Sequence, residues 1–291
     1  MSRRAAALWR SVRPQQWLSN LVMLAALIFS YNLFDVTLLA RVGLGFLLLC
    51  GLSSATFLVN DVVDRERDRW HPVRRHRPVA MGELSVRQAM VAAAVLGAGA
   101  LLGAFALQPA FGLAATGYLL LMVGYSLGLR RLPAVDILVV AAGLVLRAVA
   151  GALLIQVTIS PWLYLAVGGL GLILALGRIR YEMRLAAAAG NLETDKYTPQ
   201  TIEAMNQLAL AFTLTVYCLY TFLAPGLPPN YTMMLTIPIV LYGVFRYQYL
   251  SHGGGESQSP ERLMLSDAPL LIAVGLWALT AVGVLYLGRG Q

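Results

Sequence analysis

The chain has 291 residues, 58% of them hydrophobic and 12% charged, and a mean hydropathy of +0.69; this balance excludes a soluble globular domain and points to a polytopic membrane protein. The formal charge of +8 invites a nucleic-acid reading. The cations gather by loop rather than along one continuous face, however, and nucleic acid is not expected as a partner.

At the N-terminus, Trp9, Val12 and Trp17 stand among Arg3, Arg4, Arg10 and Arg13, so residues 1–19 read as a short interfacial segment with its rings at headgroup level. The segment is basic and then apolar, but no small-residue cleavage site follows, and a removable signal peptide is not expected. Apolar runs of bilayer-crossing length are drawn at 20–36, 38–59, 89–107, 110–128, 134–156, 161–177, 203–224, 231–250 and 267–288. Only helices satisfy their own backbone groups in lipid. The fold class expected is therefore an all-α membrane protein, a bundle of nine transmembrane helices forming one polytopic domain over 1–291.

Arginine is concentrated after every second run: at 65–87 after the second, Arg130 and Arg131 after the fourth, Arg178, Arg180 and Arg184 after the sixth, and Arg246 and Arg262 around the linker after the eighth. The positive-inside rule then places the N-terminus and these loops in the cytoplasm of a cell-membrane protein, with the C-terminus outside. Two loops, 60–88 and 178–201, are large enough to build a cytosolic active site, and His71-Pro72 and Arg77-Pro78 should fold the first back as a cap. The glycine-rich stretch 251–262 reads as a flexible linker. Cys50 and Cys218 fall in apolar runs without metal-ligand spacing and read as packing residues.

The most informative segment is Asn60-Asp61-Val62-Val63-Asp64-Arg65-Glu66-Arg67-Asp68, where a long apolar run ends. On a continuous helix Asn60, Asp64 and Asp68 fall at i, i+4 and i+8, and Asp61 lies three before Asp64. One face then carries three carboxylates and a carboxamide, hard oxygen donors that suit Mg²⁺ bridged to a substrate diphosphate. The plain alternative is a solvated helix end in which Arg65, Arg67 and Arg69 balance the acids. Against it, those arginines are spread around the axis while the aspartates converge. Downstream, Arg74, Arg75 and Arg77 suit forked hydrogen bonds to phosphate, while His71 and His76 lack zinc-site partners.

Arg147 lies near the middle of the fifth run, where a cation costs on the order of 3 kcal/mol. Asp136, eleven residues earlier, returns to nearly the same helical angle, and Gly143 and Gly151 flank Arg147 one turn away on each side. Either a buried ion pair or a contact to a lipid or substrate phosphate would account for it. The second loop offers Arg178, Arg180, Glu182, Arg184, Glu193, Asp195 and Lys196 but no second compact aspartate cluster. One acidic cluster plus a basic loop suits a ligand with a Mg²⁺-bound diphosphate and a further, separate phosphate.

These residues resemble the UbiA superfamily of intramembrane transferases, nine-helix bundles whose first motif reads Asn-Asp-x-x-Asp-x-x-x-Asp, as at 60–68. Within it the chain looks like the decaprenyl-phosphate phosphoribosyltransferase branch. The likeness runs through Arg13-Pro14-x-Gln16-Trp17, His71-Pro72-x-x-Arg75-x-Arg77-Pro78, Tyr125-Ser126, Asp136, Leu146-Arg147-Ala148, Gly151, Glu182, Tyr197-Thr198 and 260–267. Gln15 and Ser19 stand where the branch has lysines. The resemblance implies Mg²⁺-dependent transfer of 5-phosphoribose from phosphoribosyl pyrophosphate to a polyprenyl phosphate such as decaprenyl phosphate, as in cell-envelope arabinan precursor synthesis.

On that basis Asn60, Asp61, Asp64 and Asp68 hold the metal, with the aspartates as the catalytic set. Asn20, Asn60, Arg74, Arg75, Arg77, Tyr125, Arg130, Arg147, Arg178, Arg180 and Glu182 contact substrate. A homo-oligomer is left open. The competing readings are a UbiA-type prenyltransferase with a prenyl diphosphate donor, and a transporter with Asp136 and Arg147 on a midplane path.

Overall fold

The computed structural model describes residues 3–71, 74–188, 196–228, 230–252 and 260–287. Pro72, Glu193, Asp195 and most of the expected linker lie outside them. Helix α1 (Arg3–Val12) is followed by a 3-10 segment, Pro14–Leu24, and by α2 (Ala25–Phe29). Then come α3 (Val36–Val63), α4 (Arg65–Trp70), α5 (Pro78–Met81), α6 (Val86–Leu107), α7 (Pro109–Leu127), α8 (Val135–Leu154), α9 (Pro161–Ala188), α10 (Pro199–Leu223), α11 (Ile237–His252), α12 (Pro260–Ser266) and α13 (Ala268–Leu287). No strand occurs among the described residues.

The helix starts are written locally. Asp35 caps α3 by accepting from the Leu38 amide at 3.0 Å, Ser85 and Gln88 close a capping box at the start of α6, and Pro109, Pro161 and Pro199 open α7, α9 and α10, where a missing N–H costs nothing. Among the described residues, seven helices, α3, α6, α7, α8, α9, α10 and α13, are long and apolar enough to cross a membrane.

The two remaining expected runs take another form. The run at 20–36 belongs mostly to the 3-10 segment and α2, and the run at 231–250 is a 3-10 turn, Thr232–Thr236, leading into the 16 residues of α11. In the first case the three-residue period places Trp17, Asn20 and Met23 on one edge. Trp17 Nε1 donates to Ser54 Oγ at 3.1 Å, and Asn20 and Met23 are buried.

The chain forms two compact units, Met1–Ala26 with Asp35–Val157, and Leu27–Phe34 with Thr158–Gln291. In the first, α3 and α6 pack through small residues: a Cβ added at Gly51 would touch Ala100 at 3.4 Å and one at Gly97 would touch Ala55 at 3.6 Å. Ala55, Leu58, Val79, Leu84, Ala89 and Ala93 form a core that seats the short α5 of the 60–88 loop. The second unit is joined by aromatic and hydroxyl contacts: Tyr217 Oη lies 2.6 Å from Thr236 Oγ1 and accepts from Trp277 Nε1 at 2.8 Å.

Candidate active site

Helix α3 runs into α4 with one interruption, at Asp64, whose amide still donates to the Asn60 carbonyl at 2.9 Å while the Asp68 amide donates to the Asp64 carbonyl at 2.8 Å. The path is helical enough to keep Asp61, Asp64 and Asp68 on one side. All three are buried, at 1%, 2% and 1% exposure, whereas Arg67 and Arg69 are exposed. The helical-face argument therefore describes the segment correctly.

What neutralises the acids was not foreseen. Arg69 pairs with Glu66 at 2.8 Å and Arg65 approaches Glu66 at 3.8 Å. The aspartates instead receive arginines from three other elements. Arg13 pairs with Asp61, Arg130 with Asp64, and Arg77 Nη1 lies 2.6 Å from Asp68 Oδ2 and 3.3 Å from Asp61 Oδ1. Arg130 Nη1 also donates to Asn60 Oδ1 at 3.3 Å.

Each arginine arrives by a local device. Arg13 sits at a left-handed φ of 53° between α1 and Pro14, a conformation that a non-glycine residue adopts only at a cost, and its guanidinium also lies 5.4 Å from the Phe57 ring centre. Arg77 precedes Pro78 and is extended as that neighbour requires. Arg130 sits in a 3-10 turn, Leu129–Arg131, that ends α7. Arg74 contributes charge near Asp68, and Arg75 is exposed beside His76, with Nε to Nε2 at 3.3 Å. Sequence reasoning placed Arg13 among the N-terminal cations and in the Arg13-Pro14 family likeness, but not among the site residues. Its place in the Arg13-Pro14 break before the apolar run was the available signal.

Three guanidinium groups thus balance three carboxylates, and no cluster of three or more carboxylate, imidazole or thiol groups forms a finished metal centre among the described residues. Two oxygens, Asp61 Oδ2 and Asp68 Oδ1, are nonetheless buried without a hydrogen-bond partner. A buried carboxylate oxygen left without a donor is costly, and hard anionic oxygens of this kind are the ligands Mg²⁺ takes. The residues fit a divalent cation. Burial also pushes the Asp68 carboxyl above the usual carboxylate range, with Arg77 and Arg74 pulling against it.

A second polar group lies deeper in the same unit. Arg147 of α8 is 8% exposed. Its Nε donates to Asn20 Oδ1 at 2.7 Å, Nη1 to the Gly143 carbonyl at 3.0 Å and Nη2 to Tyr118 Oη at 2.7 Å. Asn20 Nδ2 contacts Cys50 Sγ at 3.3 Å, and Ser53 Oγ lies 3.3 Å from Asn20 Oδ1 and 3.2 Å from Tyr118 Oη. The ion pair with Asp136 weighed from the helical angle does not form. Arg147's hydrogen-bond partners are all neutral.

Glycines make the room: at Gly143 an added Cβ would meet Met122 Cε at 2.8 Å, and at Gly151 it would meet the Met23 carbonyl oxygen at 2.5 Å. The structure therefore brings Asn20 and Arg147 together, as it does Asn60, Arg77 and Arg130 with the acids. Tyr118 and Ser53, absent from the sequence-derived set, complete the deeper group. Tyr125 lies near the end of α7.

In the second unit, Arg178, Arg180 and Glu182 lie on α9. Arg180 pairs with Glu203 at 2.7 Å and donates to Ser251 Oγ at 3.3 Å, and His252 Nε2 lies 3.2 Å from the same Glu203 oxygen.

Known proteins share both the sequence and the fold. Over 282 residues the chain is 30% identical to the decaprenyl-phosphate phosphoribosyltransferase of Mycobacterium tuberculosis, covering 94% of this chain and 93% of that protein. The protein of the same name from Mycolicibacterium smegmatis is 27% identical over 299 residues, covering 97% and 93%. In three dimensions the chain is similar to a UbiA homolog from Archaeoglobus fulgidus bound to GPP and Mg²⁺, with a TM-score of 0.75 at 22% identity, over 96% of this chain and 99% of that one. Residues 19–266 match the UbiA prenyltransferase family, and the chain, an integral membrane transferase, belongs to that family.

Proposed function

We propose that this protein transfers 5-phosphoribose from phosphoribosyl pyrophosphate to a polyprenyl phosphate, at the cytoplasmic face of the cell membrane. An acceptor phosphate oxygen attacks the anomeric carbon, the bond from that carbon to the diphosphate oxygen breaks, and pyrophosphate leaves with the electron pair. The acceptor is already anionic at neutral pH, so the reaction calls for no general base. The observation that carries the reading is the buried face of Asp61, Asp64 and Asp68, with two carboxylate oxygens unpartnered and arginines on every acid.

Asn60, Asp61, Asp64 and Asp68 would hold Mg²⁺, which when bound neutralises the departing diphosphate. Arg13, Arg77 and Arg130 exchange carboxylate for phosphate oxygens as the donor enters, and Arg74 and Arg75 supply further charge toward it. Arg178, Arg180, Glu182 and Tyr125 stay candidates for substrate contact. The chain, 1–291, is taken as one polytopic domain in which the 14–29 and 232–252 segments complete nine membrane helices. The decaprenyl acceptor follows the names of the mycobacterial relatives, and the arabinan-precursor role follows the sequence resemblance alone. A prenyl diphosphate donor is the second reading, favoured by the GPP-bound structural relative.

The deciding experiment offers both labelled donors to membranes containing the protein. Label is expected to pass from phosphoribosyl pyrophosphate into an organic-soluble lipid phosphate, and Asp64→Asn is expected to abolish it. Transfer only from a prenyl diphosphate overturns the assignment.

A further inference from the structure

Arg147 bears a charge that no anion among its hydrogen-bond partners answers. The guanidinium is 8% exposed on a membrane-spanning helix, and its hydrogen bonds go to an amide, a backbone carbonyl and a phenol. A guanidinium carries five N–H donors, so these three bonds leave one N–H on each terminal nitrogen, the fork that phosphate oxygens take. Holding the 3-10 segment Pro14–Leu24 against α8 requires only a neutral donor, whereas a cation kept in this environment calls for an anion.

The position along α3 gives that anion a place in the reaction. Ser53, joined to Asn20 and Tyr118, precedes Asn60 by seven residues, about 11 Å of helix on the bilayer side of the carboxylates. An acceptor must attack the anomeric carbon from the side opposite the departing diphosphate. With the diphosphate at Asp61 and Asp68, the acceptor phosphate comes from the membrane interior.

We propose that Arg147, with Tyr118 Oη and the Asn20 side chain, receives the phosphate of a lipid monophosphate acceptor; this rests on the phosphoribosyl-transfer reading and assigns its acceptor subsite. The group binds and orients the nucleophile. Tyr118, whose ring centre is 4.4 Å from the guanidinium carbon, steadies the fork.

The test uses the full chain in detergent, without donor or metal, and measures binding of farnesyl phosphate, of farnesol, and of bicelles containing phosphatidylglycerol. The phosphate should bind at least about tenfold more tightly than the alcohol, a difference of about 1.4 kcal/mol. Arg147→Gln should erase that preference, Arg147→Lys should recover part of it, and Tyr118→Phe should weaken it a few-fold. In the transfer assay Arg147→Gln should raise the acceptor KM about tenfold and leave the donor KM unchanged.

A preference that survives in folded Arg147→Gln, or equal rises in both KM values, overturns the proposal. So does phosphatidylglycerol displacing farnesyl phosphate, which would make the group a headgroup seat. Should Arg147→Gln not fold, an unaltered preference in Tyr118→Phe overturns it. Because the binding arm contains no donor, a prenyl diphosphate result in the donor experiment removes the transfer reading without changing what farnesyl phosphate does here.

Discussion

Arg77→Gln separates the ion-pairing and metal-holding sides of the acidic face. Arg77 Nη1 serves two carboxylates at once, Asp68 at 2.6 Å and Asp61 at 3.3 Å. Removing it leaves Asp61 with Arg13, but takes from Asp68 its only side-chain hydrogen-bond donor among the described residues. Breaking a buried pair typically costs 3–5 kcal/mol, and here the lower end applies, about 3 kcal/mol, because Arg74 stays near Asp68. At roughly 2 °C per kcal/mol for a chain of this size, the apparent melting temperature in detergent with EDTA should fall by about 6 °C.

Mg²⁺ then acts with opposite emphasis on the two proteins. In the wild type the ion competes with three guanidinium groups, whereas in Arg77→Gln it meets a carboxylate that has lost its hydrogen-bonded guanidinium and restores part of the loss. A ligand at a hundred times its Kd contributes about 2.7 kcal/mol. Adding Mg²⁺ should therefore raise the variant's melting temperature by several degrees more than the wild type's. Equal shifts in the two proteins, or no destabilisation in EDTA, would refute the reasoning that these carboxylates share one exchangeable cation seat.

Two further outcomes follow from the geometry. Arg130→Gln strips the buried Asp64 of its guanidinium and should lower the melting temperature by several degrees, while Arg75→Gln, exposed beside His76, should stay within about 0.5 kcal/mol of the parent in the same assay. Gly151→Val should prevent the 3-10 segment from seating on α8, because even a Cβ would lie 2.5 Å from the Met23 carbonyl oxygen; loss of a monodisperse peak in size-exclusion chromatography checks this.

The sequence on its own determined the seven long apolar helices, because an apolar run in lipid closes its hydrogen bonds within itself and needs no distant partner. It also determined the face shared by Asp61, Asp64 and Asp68, since helical periodicity is a local property that the break at Asp64 barely disturbs. Only the tertiary structure decided which cations meet those acids. Arg13 reaches Asp61 across 48 positions and Arg130 reaches Asp64 across 66, while the nearby Arg65 and Arg69 turn to Glu66.

The same holds for Arg147, whose bond to Asn20 spans 127 positions and displaces the ion pair with Asp136 that helical angle suggested. Tertiary packing also wound residues 14–24 into a 3-10 form, so that Trp17, Asn20 and Met23 share one edge against their neighbours. Helical pitch is set by backbone bonds three or four residues apart and is therefore visible in a string of letters. The choice of a counter-ion is set by whichever side chains the folded chain brings within hydrogen-bond reach, and no local spacing encodes that.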